Sequence, residues 1–209
     1  MRSAGSATAQ DRETARLLGA LGPMSREALR AWCAISRPRS FGKGELLLRA
    51  GERAEWGFVL RSGLVREYYV GESGIEHTRS FIAEGQVTGS LLDLLSSGAA
   101  ITWIEALEPT LTVAFRFADF VGLYPGFHEL ESIARRHSER LYVLKARREH
   151  DMLALSAGAR YERWLAEHPA LDARVTRRHL AAYLGITPEH LSRLRQSAHR
   201  RSSPRGSTR

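Results

Sequence analysis

The sequence predicts an α+β fold: an N-terminal antiparallel β-roll with flanking helices, then a long helix, then an all-α C-terminal domain. Three observations predict it. Short apolar runs divided by glycines follow one another from residue 39 to residue 117. A helical spacing of apolar residues then holds through residues 127–155, and residues 156–197 contain several short helical patterns. Because strand and helix periods occupy separate parts of the chain, strands and helices are expected in separate layers.

Five parts are predicted along the chain. They are a disordered, small and polar N-terminus (1–13), the β-roll (14–126), the long helix (127–155), the C-terminal helical domain (156–197) and a flexible basic tail (198–209). The β-roll part opens with a helical pattern that Pro38 is predicted to close. This pattern is formed by Leu17, Leu18, Leu21, Leu29, Trp32, Cys33 and Ile35.

The β-roll is predicted from strand-length runs rich in β-branched and aromatic residues. These runs are ELLLRA, WGFVLRSG, LVREYYV, AITWIEAL and LTVAFRF. The tetrapeptide GESG, between REYYV and IEHTRSF, predicts a hairpin turn because Gly74 can adopt a positive φ. Strands at such near-regular spacing are typical of an antiparallel roll or barrel.

The long helix carries an apolar stripe at alternating spacings of three and four residues. The stripe consists of Leu130, Ala134, His137, Leu141, Leu144 and Leu155. A stripe on a helix of this length favours a coiled-coil dimer interface. Arg148 and Asp151 interrupt the stripe, so packing of the helix on the β-roll is the alternative.

Two short helices joined by a glycine turn are predicted in HLAAYLGITPEHLSRLRQ, residues 179–196. Thr176 is suited to cap the first helix, Gly185 to make the turn, and Thr187 to cap the second helix ahead of Pro188. The shared core is predicted to comprise Leu180, Leu184, Ile186, Leu191 and Leu194, with the small Ala181 where the helices cross. This is the pattern of a helix-turn-helix.

The positive charge is confined to the C-terminal end. The net charge is +8, and residues 174–209 contain nine Arg and one acidic residue, Glu189, so the excess lies there. A neutral body with a basic end indicates a polyanionic partner. A solubilising tail is the alternative, but the helix-turn-helix pattern favours DNA.

Glu189 and Arg193 are four residues apart and therefore share a helix face. Glu can accept from cytosine N4, and Arg can donate two hydrogen bonds to guanine. An intrahelical salt bridge is the alternative role of this pair. The full set of predicted DNA contacts is Thr176, Arg177, Arg178, Thr187, Glu189, His190, Ser192, Arg193, Arg195 and Gln196.

Several classes of protein are disfavoured. No apolar run is long enough to span a bilayer and the N-terminus lacks a signal core, so a cytoplasmic protein without a membrane partner is expected. No metal-binding, P-loop, nucleophile-elbow or dinucleotide motif is present, so neither an enzyme nor a metal or cofactor site is expected. Cys33 alone cannot form an internal disulfide, and a buried core position is favoured over a reactive thiol.

The order of β-roll, long helix and helix-turn-helix resembles the Crp/Fnr superfamily of bacterial transcription regulators over residues 15–197. GKGELLLRAGERAEWGFVLRSGLVREYY resembles the first strands of its cyclic-nucleotide-binding-type jelly-roll sensor domain. ARYERWLAEHPAL with HLAAYLGITPEHLSRLR resembles a subgroup whose members end just after the recognition helix. The resemblance implies a homodimer that recognises an inverted repeat in double-stranded DNA. Glu189 and Arg193 match base-contacting residues of the family, whereas Pro188 replaces a common Arg or Ser.

The resemblance also bears on the ligand pocket. Relatives that bind cyclic AMP carry a Gly-Glu pair for the ribose and an Arg for the phosphate, and the corresponding positions here are Gly89–Ser90 and about Ala100. Dependence on cyclic AMP through the usual contacts is therefore not expected. The pocket is expected to hold another ligand or to be filled by side chains. The candidate pocket residues are Gly89, Ser90, Leu91, Ala100, Ile101 and Thr102.

These observations predict a homodimeric, sequence-specific transcription regulator. The alternative is an effector-dependent sensor whose β-roll binds a cyclic nucleotide or another metabolite and thereby changes the affinity for DNA. RNA polymerase and an unidentified small-molecule effector are further candidate partners.

Overall fold

The computed structural model describes residues 8–96 and 98–202, with side chains described up to residue 197. The chain forms two compact units. The first contains the described residues of Met1–Tyr69 and Ser80–Val143, and the second contains those of Val70–Arg79 and Leu144–Arg209. The outermost parts of the predicted disordered N-terminus and of the predicted basic tail lie outside the described residues.

Two antiparallel four-stranded sheets form the β-roll. The strands are β1 (Ser36–Phe41), β2 (Leu46–Leu48), β3 (Trp56–Ser62), β4 (Val65–Val70), β5 (Glu76–Ile82), β6 (Val87–Thr88), β7 (Trp103–Ala106) and β8 (Thr110–Arg116). The sheet orders are β1-β8-β3-β6 and β2-β7-β4-β5. β8 pairs antiparallel with β1 and β3, and β7 pairs antiparallel with β2 and β4. The predicted α+β fold with an antiparallel roll is thereby confirmed.

The helices flank the roll and form the C-terminal domain. They are α1 (Ala9–Gly19), α2 (Arg26–Ile35), α3 (Leu91–Leu95), α4 (Phe117–Gly122), α5 (His128–Ala154), α6 (Ala157–Glu167), α7 (Arg177–Leu184) and α8 (Pro188–Ser202). α8 continues five residues beyond the predicted boundary at residue 197. None of the helices in the described part of the chain has both the length and the apolar character needed to cross a bilayer.

Neighbouring residues of β3 enter different cores because successive side chains in a strand point to opposite faces. Phe58 and Leu60 join a cluster that draws residues from both sheets, including Val65 and Ile104. Val59 joins a second cluster, in which α1, α2, α4 and α5 contribute the partners of β3 and β8. These four helices therefore cover the outer face of the sheet that contains β3 and β8. The inner faces of both sheets enclose the first core.

The N-terminal part differs from the prediction in two places. α1 begins at Ala9, inside the segment predicted to be disordered, because Thr8 and Asp11 form a capping box. The Thr8 hydroxyl accepts from the Asp11 backbone N–H at 3.1 Å, and the Asp11 carboxylate accepts from the Thr8 N–H at 2.9 Å. Pro38 does not end a helix: α2 ends at Ile35, and Pro38 lies in the edge strand β1, a position that tolerates proline.

Candidate functional site

Helices α7 and α8 form the predicted helix-turn-helix. Thr176 caps α7 by accepting the His179 backbone N–H at 3.2 Å, and Gly185 ends α7 in the left-handed conformation with a φ of 68°. Thr187 caps α8 by accepting the His190 backbone N–H at 3.2 Å. The start and the end of α7 and the start of α8 are thus fixed by these three residues, and with them the turn between the helices.

The second unit has a continuous apolar core beneath this motif. The buried side chains come from α6, α7, α8 and the loop between α6 and α7. They are Tyr161, Trp164, Leu171, Val175, Leu180, Ala181, Leu184 and Leu191. Since Leu191 is fully buried, the face of α8 that carries it packs inward and the other faces of α8 remain available.

Glu189 and Arg193 lie on an exposed face of α8. The Glu189 backbone N–H and the Thr187 hydroxyl both donate to the Glu189 carboxylate and hold its pKa below the ordinary value, and Arg193 adds a smaller electrostatic effect. No ion pair joins Glu189 to Arg193 among the described side chains. The helix therefore presents a charged acceptor and a charged donor that remain available to a ligand.

The other predicted contacts differ in their exposure. Arg177 and Arg178 are exposed at the start of α7, and the Arg178 guanidinium lies 3.4 Å from the Glu76 carboxylate within the same unit. Such an exposed pair contributes little to stability and does not prevent Arg178 from meeting a stronger anion. Thr176, Thr187 and Gln196 are exposed, whereas His190 is half-buried.

Arg195 makes hydrogen bonds within the second unit. Its Nη2 donates to Asp172 Oδ1 at 2.9 Å, and its Nε donates to the Tyr161 hydroxyl at 3.3 Å. These partners lie on α6 and on the loop after α6, so Arg195 fastens α8 to them. The contact of Arg195 with DNA stays a prediction, since these bonds use only its Nε and Nη2. The Ser192 hydroxyl is likewise used internally, since it donates to the Pro188 carbonyl at 2.9 Å.

The predicted pocket residues lie in the 89–102 segment, which connects β6 to β7. Gly89 has a φ of 142°, and a Cβ there would approach the Trp56 carbonyl oxygen to 2.5 Å. Ser90 has a φ of 52° and is the sole non-glycine residue with a positive φ among those described. The Ser90 hydroxyl lies 2.7 Å from Asp93 Oδ2 and 2.9 Å from the Thr102 hydroxyl, and these contacts hold the strained backbone in place.

Asp93 is the centre of this segment. Its side chain is 3% exposed and accepts from the Ser90 hydroxyl and, at 3.1 Å, from the Ile101 backbone N–H. Burial alone raises the pKa of the Asp93 carboxyl, but hydrogen bonds from Thr102, Ser90 and the Ile101 and Thr102 backbone outweigh burial and leave this pKa below its ordinary value. No cationic side chain in the described residues forms an ion pair with Asp93. The buried anion is therefore held by neutral donors.

The chain's own carboxylate thus takes donors that the predicted pocket would offer to a ligand. Among the other pocket candidates, Ala100 and Gly89 are buried, Leu91 is half-buried and the Ile101 side chain is exposed. The Ala100 backbone is also engaged, since its N–H donates to the Glu52 carbonyl at 2.8 Å. A cavity of about 310 Å³ lies elsewhere, between α1 and strands β1 and β8.

The predicted dimer stripe on α5 has different surroundings at its two ends. Leu130 is fully buried in the core of the first unit, and Ala134 packs against the same cluster. These two residues therefore belong to the core, which corrects their assignment to a dimer interface and agrees with the alternative for this end of the helix. Leu144 is 51% exposed, whereas His137, Leu141 and Leu155 are half-buried.

Arg148 is a half-buried cation that the sequence identified only as an interruption of the stripe. Its Nη2 donates to the Thr78 carbonyl at 3.1 Å and to the Tyr183 carbonyl at 2.5 Å, and its guanidinium lies 3.9 Å from the centre of the Tyr183 ring. Thr78 and Tyr183 both belong to the second unit. Arg148 therefore joins the β5 end of the hairpin to α7.

Comparisons with known proteins agree with this architecture. Residues 38–125 match the family described as cyclic nucleotide-binding domain. The fumarate and nitrate reduction regulatory protein of Escherichia coli K12 is 26% identical over 178 residues, which cover 77% of this chain and 68% of that protein. The anaerobic regulatory protein of Haemophilus influenzae is 26% identical over 171 residues, which cover 77% of this chain and 66% of that protein.

Solved structures share the fold. The FixK2 protein of Bradyrhizobium japonicum superimposes with a TM-score of 0.72 at 20% identity, covering 83% of this chain and 90% of that one. The c-di-GMP-responsive global regulator CLP of Xanthomonas campestris gives 0.69 at 17% identity and covers 87% of this chain and 96% of that one. The chain is thus similar in sequence and in fold to transcription regulators of the Crp/Fnr type, and it contains a cyclic nucleotide-binding domain.

The departure of the sensor segment from the pattern of cyclic-AMP-binding relatives stays a prediction from the sequence. Ser90 and Ala100 stand at the positions compared with the ribose-binding Glu and the phosphate-binding Arg. Asp93 was not identified, because its donors Ile101 and Thr102 lie on the far side of the loop. The available signal was a carboxylate inside the apolar run LLDLL.

Cys33 is half-buried against the helical core of the first unit. Burial raises the pKa of its thiol, and the nearby Asp11 carboxylate adds to this effect. A raised pKa keeps the thiol protonated and unreactive at neutral pH. The favoured interpretation of Cys33 as a core residue agrees with this environment.

Proposed function

We propose that this Crp/Fnr regulator binds double-stranded DNA sequence-specifically, with α8 in the major groove. The observation that carries the proposal is the exposed Glu189–Arg193 face of α8, on a helix that packs inward through Leu191. A recognition helix enters the groove with its N-terminal residues leading. At that depth Arg193 can donate two hydrogen bonds to a guanine, and Glu189 can accept from a cytosine N4.

Phosphate contacts are the proposed role of the exposed Arg177 and Arg178 at the start of α7. Such contacts position a protein on the duplex without reading its sequence. The net charge of +8 in residues 174–209 adds a sequence-independent attraction that depends on salt. Removing one phosphate contact should therefore weaken binding to every duplex to a similar extent.

A homodimer that recognises an inverted repeat is the proposed assembly. Its support is the exposed apolar part of α5 around Leu144, together with the two-fold symmetry that paired recognition helices impose on their binding site. RNA polymerase remains a candidate partner. That the protein has no catalytic activity also remains a prediction, which the names of the relatives support.

An effector-dependent switch is the second candidate function. The match of residues 38–125 to the cyclic nucleotide-binding domain family favours it. In that case the affinity for DNA should change when a small molecule binds the first unit. Measuring the affinity for the preferred duplex with and without cyclic nucleotides distinguishes this function from effector-independent binding.

Arg193→Ala tests the placement of α8. We expect the substitution to cost about 1–3 kcal/mol of binding free energy for the preferred site and to relax the base preference at one position of each half-site. Arg177→Ala should instead weaken binding to all duplexes and reduce the salt dependence by about one released ion. The measurement is site selection from random duplexes, followed by titrations at several salt concentrations.

Arg53→Ala is the matched control, because Arg53 is an exposed arginine in the first unit and its loss removes the same charge. It should leave both the preferred site and the affinity nearly unchanged. An Arg193→Ala protein that selects the same site as the wild type, at every position, would show that α8 does not read bases as proposed.

A further inference from the structure

The 89–102 segment holds a buried anion without a cation. Asp93 is 3% exposed, and its donors are the Ser90 hydroxyl, the Ile101 backbone N–H and Thr102. No Lys, Arg or His of the described residues forms an ion pair or a hydrogen bond with it. A carboxylate held by several O–H and N–H donors in this way receives the same hydrogen bonds that a bound phosphate or free carboxylate would receive.

A second buried carboxylate lies on the inner face of β4 and contacts the residue before this segment. Glu67 is buried and pairs directly with Ile104 across β4 and β7. Because Ile104 belongs to the first core and paired residues lie on the same face of a sheet, Glu67 faces this core too. It accepts from the Thr88 hydroxyl at 2.7 Å and from the Ser80 hydroxyl at 2.9 Å. Thr88 directly precedes Gly89, and Thr102 ends the segment, so a threonine hydroxyl at each end donates a hydrogen bond to a carboxylate.

A phosphorylated ligand would have to compete with these groups. To use the donors on Ser90, Ile101 and Thr102, its phosphate would need to displace the Asp93 carboxylate. The displaced carboxylate would then be a second buried negative charge beside the ligand. Two like charges in a buried site without a cation are strongly unfavourable.

We propose that Asp93 is an internal anion that occupies the sensor's anion site and makes the sensor domain reject phosphorylated ligands such as cyclic mononucleotides. Asp93 is thus a specificity-determining residue that excludes anionic effectors from this segment. The proposal concerns the first unit alone. It stands or falls independently of how α8 binds DNA.

Substitution of Asp93 in the full-length protein, followed by thermal unfolding, tests the proposal. Asp93→Ala should leave the donors unpaired and lower the Tm by about 5 °C. Sodium formate at about 100 mM should restore at least half of this loss, because a small carboxylate can enter the vacated space. Sodium chloride at equal concentration controls for ionic strength.

Asp93→Asn is the matched variant, because it fills the same space without a charge. Formate should not raise its Tm beyond the chloride control, nor that of the wild type. If formate acts no better than chloride on Asp93→Ala, the internal-anion proposal is wrong.

A second measurement keeps the proposal falsifiable even if Asp93→Ala does not fold. The wild-type protein is titrated calorimetrically with cyclic AMP and with cyclic GMP, each to about 1 mM. We expect no heat of binding and no change in Tm for either nucleotide. Saturable binding of either nucleotide, or a rise of the wild-type Tm in its presence, would overturn the proposal.

Discussion

Asp93 and Glu189 both have a lowered pKa, but for different reasons and with different consequences. Asp93 is buried, and hydrogen bonds from neutral donors outweigh the opposing effect of burial. Glu189 is exposed, and its own backbone N–H and the Thr187 hydroxyl stabilise its charge. Asp93 therefore contributes to the stability of the first unit, whereas the charge of Glu189 remains available to a ligand.

The stability contribution of Asp93 should depend on pH. Because its pKa is lower in the folded state than in the unfolded chain, its contribution is fully present above the unfolded value of about 3.9 and is lost as the pH falls through the folded value. At neutral pH the free energy of unfolding of the wild type should exceed that of Asp93→Asn by about 1–3 kcal/mol. Urea unfolding at a series of pH values measures this difference. A difference that stays constant down to pH values of about 2 would contradict the assignment.

Local residue patterns were predictable from the sequence, and distant pairings were not. Thr176, Gly185 and Thr187 were predicted as caps and turn because each acts on backbone within four residues. The pairing of Arg195 with Asp172 was not predicted, because the two residues lie 23 positions apart in the sequence. The identity of such a partner depends on how α6 and α8 pack, which no local pattern encodes.

At the scale of elements, α5 presents two apolar sides. Leu144 belongs to the predicted stripe, whereas Tyr142 and Leu153 are 74% and 81% exposed. With 3.6 residues per turn, Tyr142 and Leu153 project from roughly the opposite side of the helix to Leu144. The sequence predicted the helix and its length well. It could not show that the N-terminal turns of the stripe are used by the core of the first unit.

Leu144→Asp tests which side of α5 mediates the proposed dimer. A charge in a coiled-coil interface is costly, so we expect this variant to be monomeric at concentrations where the wild type is dimeric. Leu153→Asp is the matched control on the other side and should remain dimeric. Sedimentation equilibrium of the three proteins measures the association. If Leu144→Asp stays dimeric, or Leu153→Asp alone dissociates, the proposed interface lies elsewhere on the helix.

At the scale of the whole molecule, charge and fold divide the chain in a similar way. The excess of +8 lies in residues 174–209, and these belong, as far as they are described, to the second unit. The sequence predicted this division, since the charge and the periodicity change along the chain. It did not predict that residues 70–79 of the β4–β5 hairpin would group with residues 144–209, where Arg148 donates to the Thr78 carbonyl. The Arg178–Glu76 contact also joins this hairpin to α7, so the grouping depends on contacts between residues that are distant in the sequence.

The central claim is that this regulator reads DNA sequence with α8 as a homodimer. The most direct test is selection of binding sites from random duplex DNA by the purified wild-type protein, without added ligand, at about 150 mM salt. We expect an inverted repeat with half-sites about one helical turn apart, about 10 base pairs from centre to centre. Recovery of no sequence above background, both without ligand and with cyclic nucleotides added, would contradict it.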